Sequence, residues 1–133
     1  MSVRRATYMD SSAIVKLAVR EPESAALRRY LRRKRPLVTS ALARTEVARA
    51  LLPLGADSVD RGAEALRRLD LVRLNNRILE AAGALPPADL RTLHAIHLAT
   101  AQQLGAELAR VCTYDDRMAA AAKGLGYTVV APR

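Results

Sequence analysis

The sequence predicts an α/β fold, a small parallel sheet of four to five strands flanked by helices, and three observations lead there. Short apolar runs alternate with helix-periodic stretches along the whole chain, the pattern of a parallel sheet with helices on both faces. Acids and hydroxyl residues stand where a run of the first kind gives way to one of the second. One late helical stretch is apolar around nearly its whole circumference, as a helix buried on several sides must be.

Residues 6–9 read as the first strand. Asp10, Ser11 and Ser12 then supply N-cap chemistry for a helix with Ile14, Leu17 and Ala18 on one side. Pro22 opens a second helix, which sets Leu27, Tyr30 and Leu31 on one face and arginines on the other, and Pro36 ends it. Residues 37–39 form a second short strand. Ser40 is expected to cap a helix running to about residue 52, with Val47, Ala48 and Leu51 inward, before Pro53 and Gly55 break it. A helix over roughly 58–69 precedes a strand at 71–74 and a short helix at 76–84, after which Pro86 and Pro87 punctuate the chain. The most apolar helix follows at about 90–104, with Leu93, Ala95, Ile96, Leu98, Ala99 and Ala101, and Gly105 closes it. Residues 110–113 read as a strand, Asp115 or Asp116 begins a helix ending near Gly124 and Gly126, and 128–130 is the last strand. The small-residue stretch 119–122 reads as core, with a dimer face as the other possibility.

At 133 residues the chain is expected to be a single domain, 1–133. A domain of this size buries about 70% of the surface its unfolded chain exposes, enough for one core without staples. The single cysteine, Cys112, forms no intrachain bridge and reads as a small buried hydrophobe in a reduced, intracellular protein. Arg4 and Arg5 are followed by no apolar stretch long enough for a signal peptide, and no later segment could span a bilayer. The expectation is a soluble, cytoplasmic protein without membrane contact.

Charge says more than length. The net charge is +9, and residues 1–50 hold 12 basic against 4 acidic side chains, whereas the remainder is nearly balanced. The densest stretch is Arg28, Arg29, Arg32, Arg33, Lys34 and Arg35, a set of guanidinium forks suited to phosphate. Nucleic acid is the natural partner. A solvated helix end and an acidic protein partner are the alternatives. Aromatic residues make up only 3% of the chain, with no Phe or Trp, which argues against base-stacking platforms of the single-strand-binding kind.

Three carboxylates stand at strand-to-helix junctions or in the first turns of helices: Asp10, Glu46 and Asp115. In open parallel sheets ligands bind outside the carboxyl ends of the strands. Mg²⁺ and Mn²⁺ prefer oxygen ligands, and such an ion can activate water and polarise a phosphodiester. A basic rim would then hold the polyanion. Each acid alone has a plain explanation as a helix cap or a partner of a nearby arginine; together they suggest a divalent-metal site.

Four blocks carry a family likeness: Tyr8-Met9-Asp10-Ser11-Ser12-Ala13-Ile14-Val15-Lys16-Leu17; Thr45-Glu46-Val47-Ala48-Arg49-Ala50; Leu90-Arg91-Thr92-Leu93-His94-Ala95-Ile96-His97-Leu98-Ala99-Thr100-Ala101; and Thr113-Tyr114-Asp115-Asp116-Arg117-Met118. In order and spacing the chain resembles PIN-domain toxins of the VapC type over essentially its whole length. The resemblance implies a PIN-like three-layer fold and a metal-dependent RNA endonuclease, the toxin of a toxin-antitoxin pair. It further implies a cognate VapB-type antitoxin, homodimerisation, and a tRNA or rRNA target cut to leave a 5′-phosphate and a 3′-hydroxyl. By position Asp10, Glu46 and Asp115 match the acids that bind Mg²⁺ or Mn²⁺ and act in catalysis. Ser12 and Thr113 match hydroxyl residues that support them, and Asp116 is the lesser candidate.

His94 stands where the family motif has Asp. An imidazole removes one negative charge and supplies a nitrogen, which suits Mn²⁺ or Zn²⁺ better than Mg²⁺. Three outcomes stay open: His94 ligates Mn²⁺, Asp89 or Asp116 compensates, or the chain is a weakened module that binds RNA or antitoxin without efficient cleavage. His97 invites a two-histidine metal reading, but a lone H-x-x-H is weak, and a hydrogen-bonded core residue is the preferred one. A phosphatase or receiver domain fits less well, because no second acid closely follows Asp10 and no Gly-rich phosphate cradle is present.

Overall fold

A computed structural model describes residues 5–133; Arg4, counted above in the basic amino-terminal part, lies outside them. Five strands, β1 (Ala6–Met9), β2 (Leu37–Ser40), β3 (Asp70–Val72), β4 (Leu108–Cys112) and β5 (Val129–Val130), form one sheet in the order β3-β2-β1-β4-β5. Every pairing is parallel. Among the described residues seven α-helices connect them: α1 (Ser11–Ala18), α2 (Ser24–Leu31), α3 (Ala43–Leu51), α4 (Ala56–Leu66), α5 (Asn76–Gly83), α6 (Thr92–Gln102) and α7 (Asp116–Gly124). The α/β expectation with four to five parallel strands is borne out.

The pleat sorts strand side chains into two cores, because successive residues point to opposite faces. Met9, Leu37 and Cys112 meet Ile14, Leu27, Leu31, Val47, Leu51 and Leu66 from α1 to α4. On the other face Tyr8, Val38 and Val111 meet Leu98 and Ala101 of α6 and Met118 and Ala122 of α7. The result is three layers. Cys112 is fully buried, and burial together with the Asp10 charge pushes its thiol up to about 12, so it packs as an inert hydrophobe.

Local chemistry sets the boundaries. Asp10 caps α1 by accepting from Ala13 N, Asn75 caps α5 through Ile78 N, and Asp115 caps α7 through Met118 N. Ser40 behaves differently from its expected role. It ends β2, its Oγ accepts from Leu42 N across a turn, and α3 starts only at Ala43. The second helix begins at Ser24 rather than at Pro22, where Ser24 Oγ ties back to Val19 O and Glu21 N. In α6, Ala95, Leu98, Ala99 and Ala101 are buried as expected, but Leu93 is 46% exposed, since the first turn projects beyond the sheet. Gly62 is buried between α4 and α3, where a Cβ would meet Leu51 Cδ1 at 2.6 Å and Val47 Cγ1 at 3.0 Å. Among the described residues no helix is long and apolar enough to cross a membrane.

Candidate functional site

In the order β3-β2-β1-β4-β5 the chain winds outward in both directions from β1 and β4, so the switch point lies between these two strands. At such a point the flanking loops diverge and leave a crevice at the carboxyl edge. Asp10 directly follows β1, and Asp115 follows β4 after Thr113 and Tyr114. Both carboxylates therefore sit at the mouth of that crevice, each at the amino end of a helix.

A hydroxyl network joins the two loops. Ser12 Oγ donates to Asp10 Oδ1 at 2.6 Å, Thr113 Oγ1 donates to Asp10 Oδ2, and Ala13 N donates to Oδ1 at 3.1 Å. Ser12 Oγ also accepts from Tyr114 N at 2.9 Å, and Thr113 Oγ1 accepts from Asp115 N at 3.1 Å. Asp10 is 4% exposed. Burial raises its carboxyl above the ordinary aspartate range, although the Ser12 and Thr113 hydroxyls and the Ala13 N–H favour the ionised form. The network holds a carboxylate in a place where an unsupported one would be strongly disfavoured.

Glu46, in the first turn of α3, enters from the other side of α1. Its Oε1 accepts from Ser11 Oγ at 2.6 Å and pairs with His97 Nε2 at 2.5 Å. Partial burial raises its carboxyl, but its surroundings, the His97 and Ser11 hydrogen bonds among them, outweigh this and leave it below the ordinary range. His97 is 1% exposed, and its Nδ1 lies 2.7 Å from Tyr8 Oη. Burial pushes the Tyr8 hydroxyl far up, so it stays protonated and is able to donate to Nδ1. A ring that accepts at Nδ1 carries its proton on Nε2, and that proton points at Glu46.

His97 is thus the hydrogen-bonded core residue expected of it, with a site carboxylate as its partner. Ser11 and Tyr8 were not singled out as site residues. Ser11 carried a signal, since it extends the capping cluster after Asp10; Tyr8 carried none beyond its strand position. His94 Nε2 lies 3.6 Å from Asp115 Oδ2, just beyond hydrogen-bond reach, and His94 Nδ1 is buried with no partner among the described residues. His94 is therefore drawn toward Asp115 and His97 toward Glu46. Among the described residues no three His, Cys, Asp or Glu side chains converge closely enough to hold a metal ion between them.

The basic run does not rim this crevice. Residues 32–35 lead into the start of β2, where Thr7 Oγ1 donates to Lys34 O and Thr7 N to Pro36 O. That is the amino edge of the sheet, about 13 Å of strand away from the acids. A segment preceding a parallel strand must lie opposite the segments that follow one, so the separation was implicit in the sequence. Arg28 reaches Leu17 O and Arg35 reaches Arg68 O, while Arg29, Arg32 and Arg33 are exposed.

Residues 7–124 match the family model described as PIN domain. The chain is 65% identical over 127 residues to Ribonuclease VapC46 of Mycobacterium tuberculosis, covering 96% of this chain and 98% of that one. It is 41% identical over 129 residues to Ribonuclease VapC35 of the same species, with 94% and 96% covered. The fold matches that of VapC20 from M. tuberculosis, described as a sarcin-ricin loop cleaving toxin, with a TM-score of 0.75, 17% identity, and 95% and 99% of the two chains covered. It also matches a toxin-antitoxin complex from Klebsiella pneumoniae at a TM-score of 0.72 and 23% identity, with 96% and 98% covered.

Proposed function

This chain belongs to the PIN-domain family, and from that premise we propose that it is an RNA endonuclease of the VapC type, the toxin of a toxin-antitoxin pair. The observation that carries the reading is the linkage of Asp10 and Asp115 across the β1–β4 switch point by Ser12 and Thr113. Ribonucleases of this family are generally dependent on a divalent metal. A hard cation such as Mg²⁺ or Mn²⁺ needs only one or two carboxylates, with substrate phosphates and waters completing its shell. Asp10, Glu46 and Asp115 meet that requirement in kind, and one or two of them, with substrate phosphates and waters, would hold the ion. Bound there, it would polarise the phosphodiester and lower the pKa of an attacking water.

The chain's own groups do the rest. Ser12 and Thr113 orient Asp10 and stabilise its ionised form; Ser11 and His97 both fix Oε1 of Glu46, and no described residue hydrogen-bonds the other oxygen. The expected substrate is a tRNA or rRNA loop. The run of residues 28–35 would attract it at a distance, because a structured RNA extends well beyond 13 Å and cationic charge steers polyanions. A VapB-type antitoxin and a second copy of the chain complete the proposed assembly.

One observation favours a second reading, a PIN module that binds RNA or antitoxin without efficient cleavage. His94 approaches Asp115 from where the family has an acid, so it competes with a cation for that carboxylate. The test is cleavage of structured RNA with Mg²⁺ and with Mn²⁺, in the wild type and in His94→Asp. Cleavage by either protein that is lost in Asp10→Asn supports the nuclease. If both are inert with both metals, the enzymatic reading fails.

A further inference from the structure

A cleft of about 720 Å³ opens beside the acids, between the Pro86–Pro87 turn, the start of α6 and the outer face of α7. That volume lies within the range of small-ligand sites, roughly 300–1,000 Å³. Its apolar lining comes from Leu90, Ala121 and Leu125, with Ala120 and Gly124 leaving α7 low enough for a ligand to lie against it. Arg91, the N-cap residue of α6, and Arg117, in the first turn of α7, line it as well. Both are exposed, and neither is engaged in an ion pair among the described residues. Asp89 is the one acid in the lining.

His94 ties the cleft to the acidic edge. It lines the cleft, its Nε2 is the atom 3.6 Å from Asp115, and its buried Nδ1 has no partner among the described residues. Buried polar atoms in proteins are nearly always paired, so an unpaired one on a residue that lines a cleft draws attention to that residue. Two guanidiniums suit a phosphate, an aliphatic wall suits the face of a base or sugar, and a carboxylate accepts from base N–H groups. Single-stranded RNA offers all three in one unit when a nucleotide is splayed out of its stack.

We propose that this cleft is a subsite for one 5′-nucleotide unit of RNA flanking the bond that is cut, with Arg91 and Arg117 on its phosphate, His94 and Asp89 on its polar edges and the aliphatic wall against its base. The assignment deepens the nuclease reading and rests on it for the identity of the polymer. It gives His94 a use that the family aspartate would not have, since the imidazole stands between Asp115 and the cleft that would take the nucleotide.

The experiment is an amide-resolved NMR titration of the full chain, in chelator, with each of the four 5′-nucleoside monophosphates and with inorganic phosphate. Shifts should concentrate in residues 86–94 and 117–125. Affinity should fall about tenfold or more in Arg117→Ala, which removes charge at an exposed position, and in Ala120→Leu, which fills the cleft. Melting temperatures of both variants establish that they fold. Binding of inorganic phosphate as tight as that of every nucleotide overturns the assignment, as do shifts elsewhere, binding unchanged in both folded variants, or a cleft covered by a second copy of the chain. Failure of the nuclease reading is separate: cleft shifts in a protein that cuts no RNA keep the subsite and remove the activity, whereas cleavage with silent cleft residues does the reverse.

Discussion

Replacing His97 by leucine removes a hinge between the core and the site, and its effect can be worked from two hydrogen bonds. The bond between Tyr8 Oη and Nδ1 is buried and neutral, and such bonds contribute about 1 kcal/mol net. The Nε2 bond to Glu46 is charge-assisted, a class contributing about 1.5–3 kcal/mol. The Glu46 side chain is 20% exposed, and solvent screening brings that bond to about 1.5 kcal/mol. Leucine fills much of the volume and needs no polar partner, which returns about 0.5 kcal/mol. His97→Leu should therefore cost about 2 kcal/mol, equivalent to roughly 8 °C in melting temperature for a domain of this size. His97→Gln, whose amide can both donate to Glu46 and accept from Tyr8, should cost less than half as much. The assay is thermal unfolding by circular dichroism, paired with RNA cleavage at saturating metal. Activity should drop about 10- to 100-fold in His97→Leu, the usual effect of losing a group that orients a metal-binding carboxylate, and recover in part in His97→Gln. If leucine and glutamine melt and cleave alike, the relay from Tyr8 through His97 to Glu46 has no energetic weight and the reasoning is wrong.

Other consequences follow from the same structure. Burial holds the folded Asp10 carboxyl above its unfolded value, so its contribution to stability is full below the unfolded pKa and is lost as pH rises through the folded one. Asp10→Asn keeps an N-cap acceptor and removes that loss; its melting temperature should match the wild type in acid and exceed it at neutral pH, and a gain that shrinks toward neutrality would contradict the raised value. Gly62→Val places methyl groups against Leu51 and Val47 and should destabilise by about 2–3 kcal/mol in chemical denaturation, whereas an unchanged midpoint would mean that α3 and α4 separate freely. Substituting Arg32 and Arg33 together by Gln should weaken RNA binding and reduce the slope of log affinity against log salt by about one per cation, while the single-turnover cleavage rate at saturating RNA holds. A fall in that rate would place the amino edge closer to the chemistry than 13 Å of strand allows.

Much of this architecture was legible because its signals are local. The apolar runs gave strands within one or two residues, and Asp10 and Asp115 announced helix starts through the side-chain acceptor that an N-cap requires. Ser40 misled for the same reason. Its oxygen does accept from a backbone N–H, that of Leu42, but a strand residue before a turn satisfies the same chemistry as a cap. The pairing of Glu46 with His97 was not legible, since the two residues are 51 positions apart and meet only because α3 and α6 lie on opposite faces of the sheet and project past its carboxyl edge. Leu93 shows the limit of periodicity: an apolar face says that a helix can be buried, and only its overhang beyond the sheet says where burial ends.

The cap reading and the metal reading of the acids prove to be compatible, for a reason that lies in the two oxygens of a carboxylate. In Asp10 and Asp115 alike, Oδ1 accepts from the backbone N–H three residues on. That bond anchors the side chain at the positive end of a helix, which favours its negative charge. The second oxygen is then aimed away from the helix by the planarity of the group. In Asp10 it meets the Thr113 hydroxyl, and in Asp115 it faces His94. Capping thus orients both acids toward the switch point, with the outer oxygen of Asp10 held by Thr113 and that of Asp115 turned to whatever approaches the crevice. An alanine at either position would lose cap and charge together, but asparagine keeps the inner bond and loses only the anionic outer oxygen. The asparagine variants therefore separate stability from chemistry at these positions, and Glu46, which caps nothing, gains its orientation instead from Ser11 and His97.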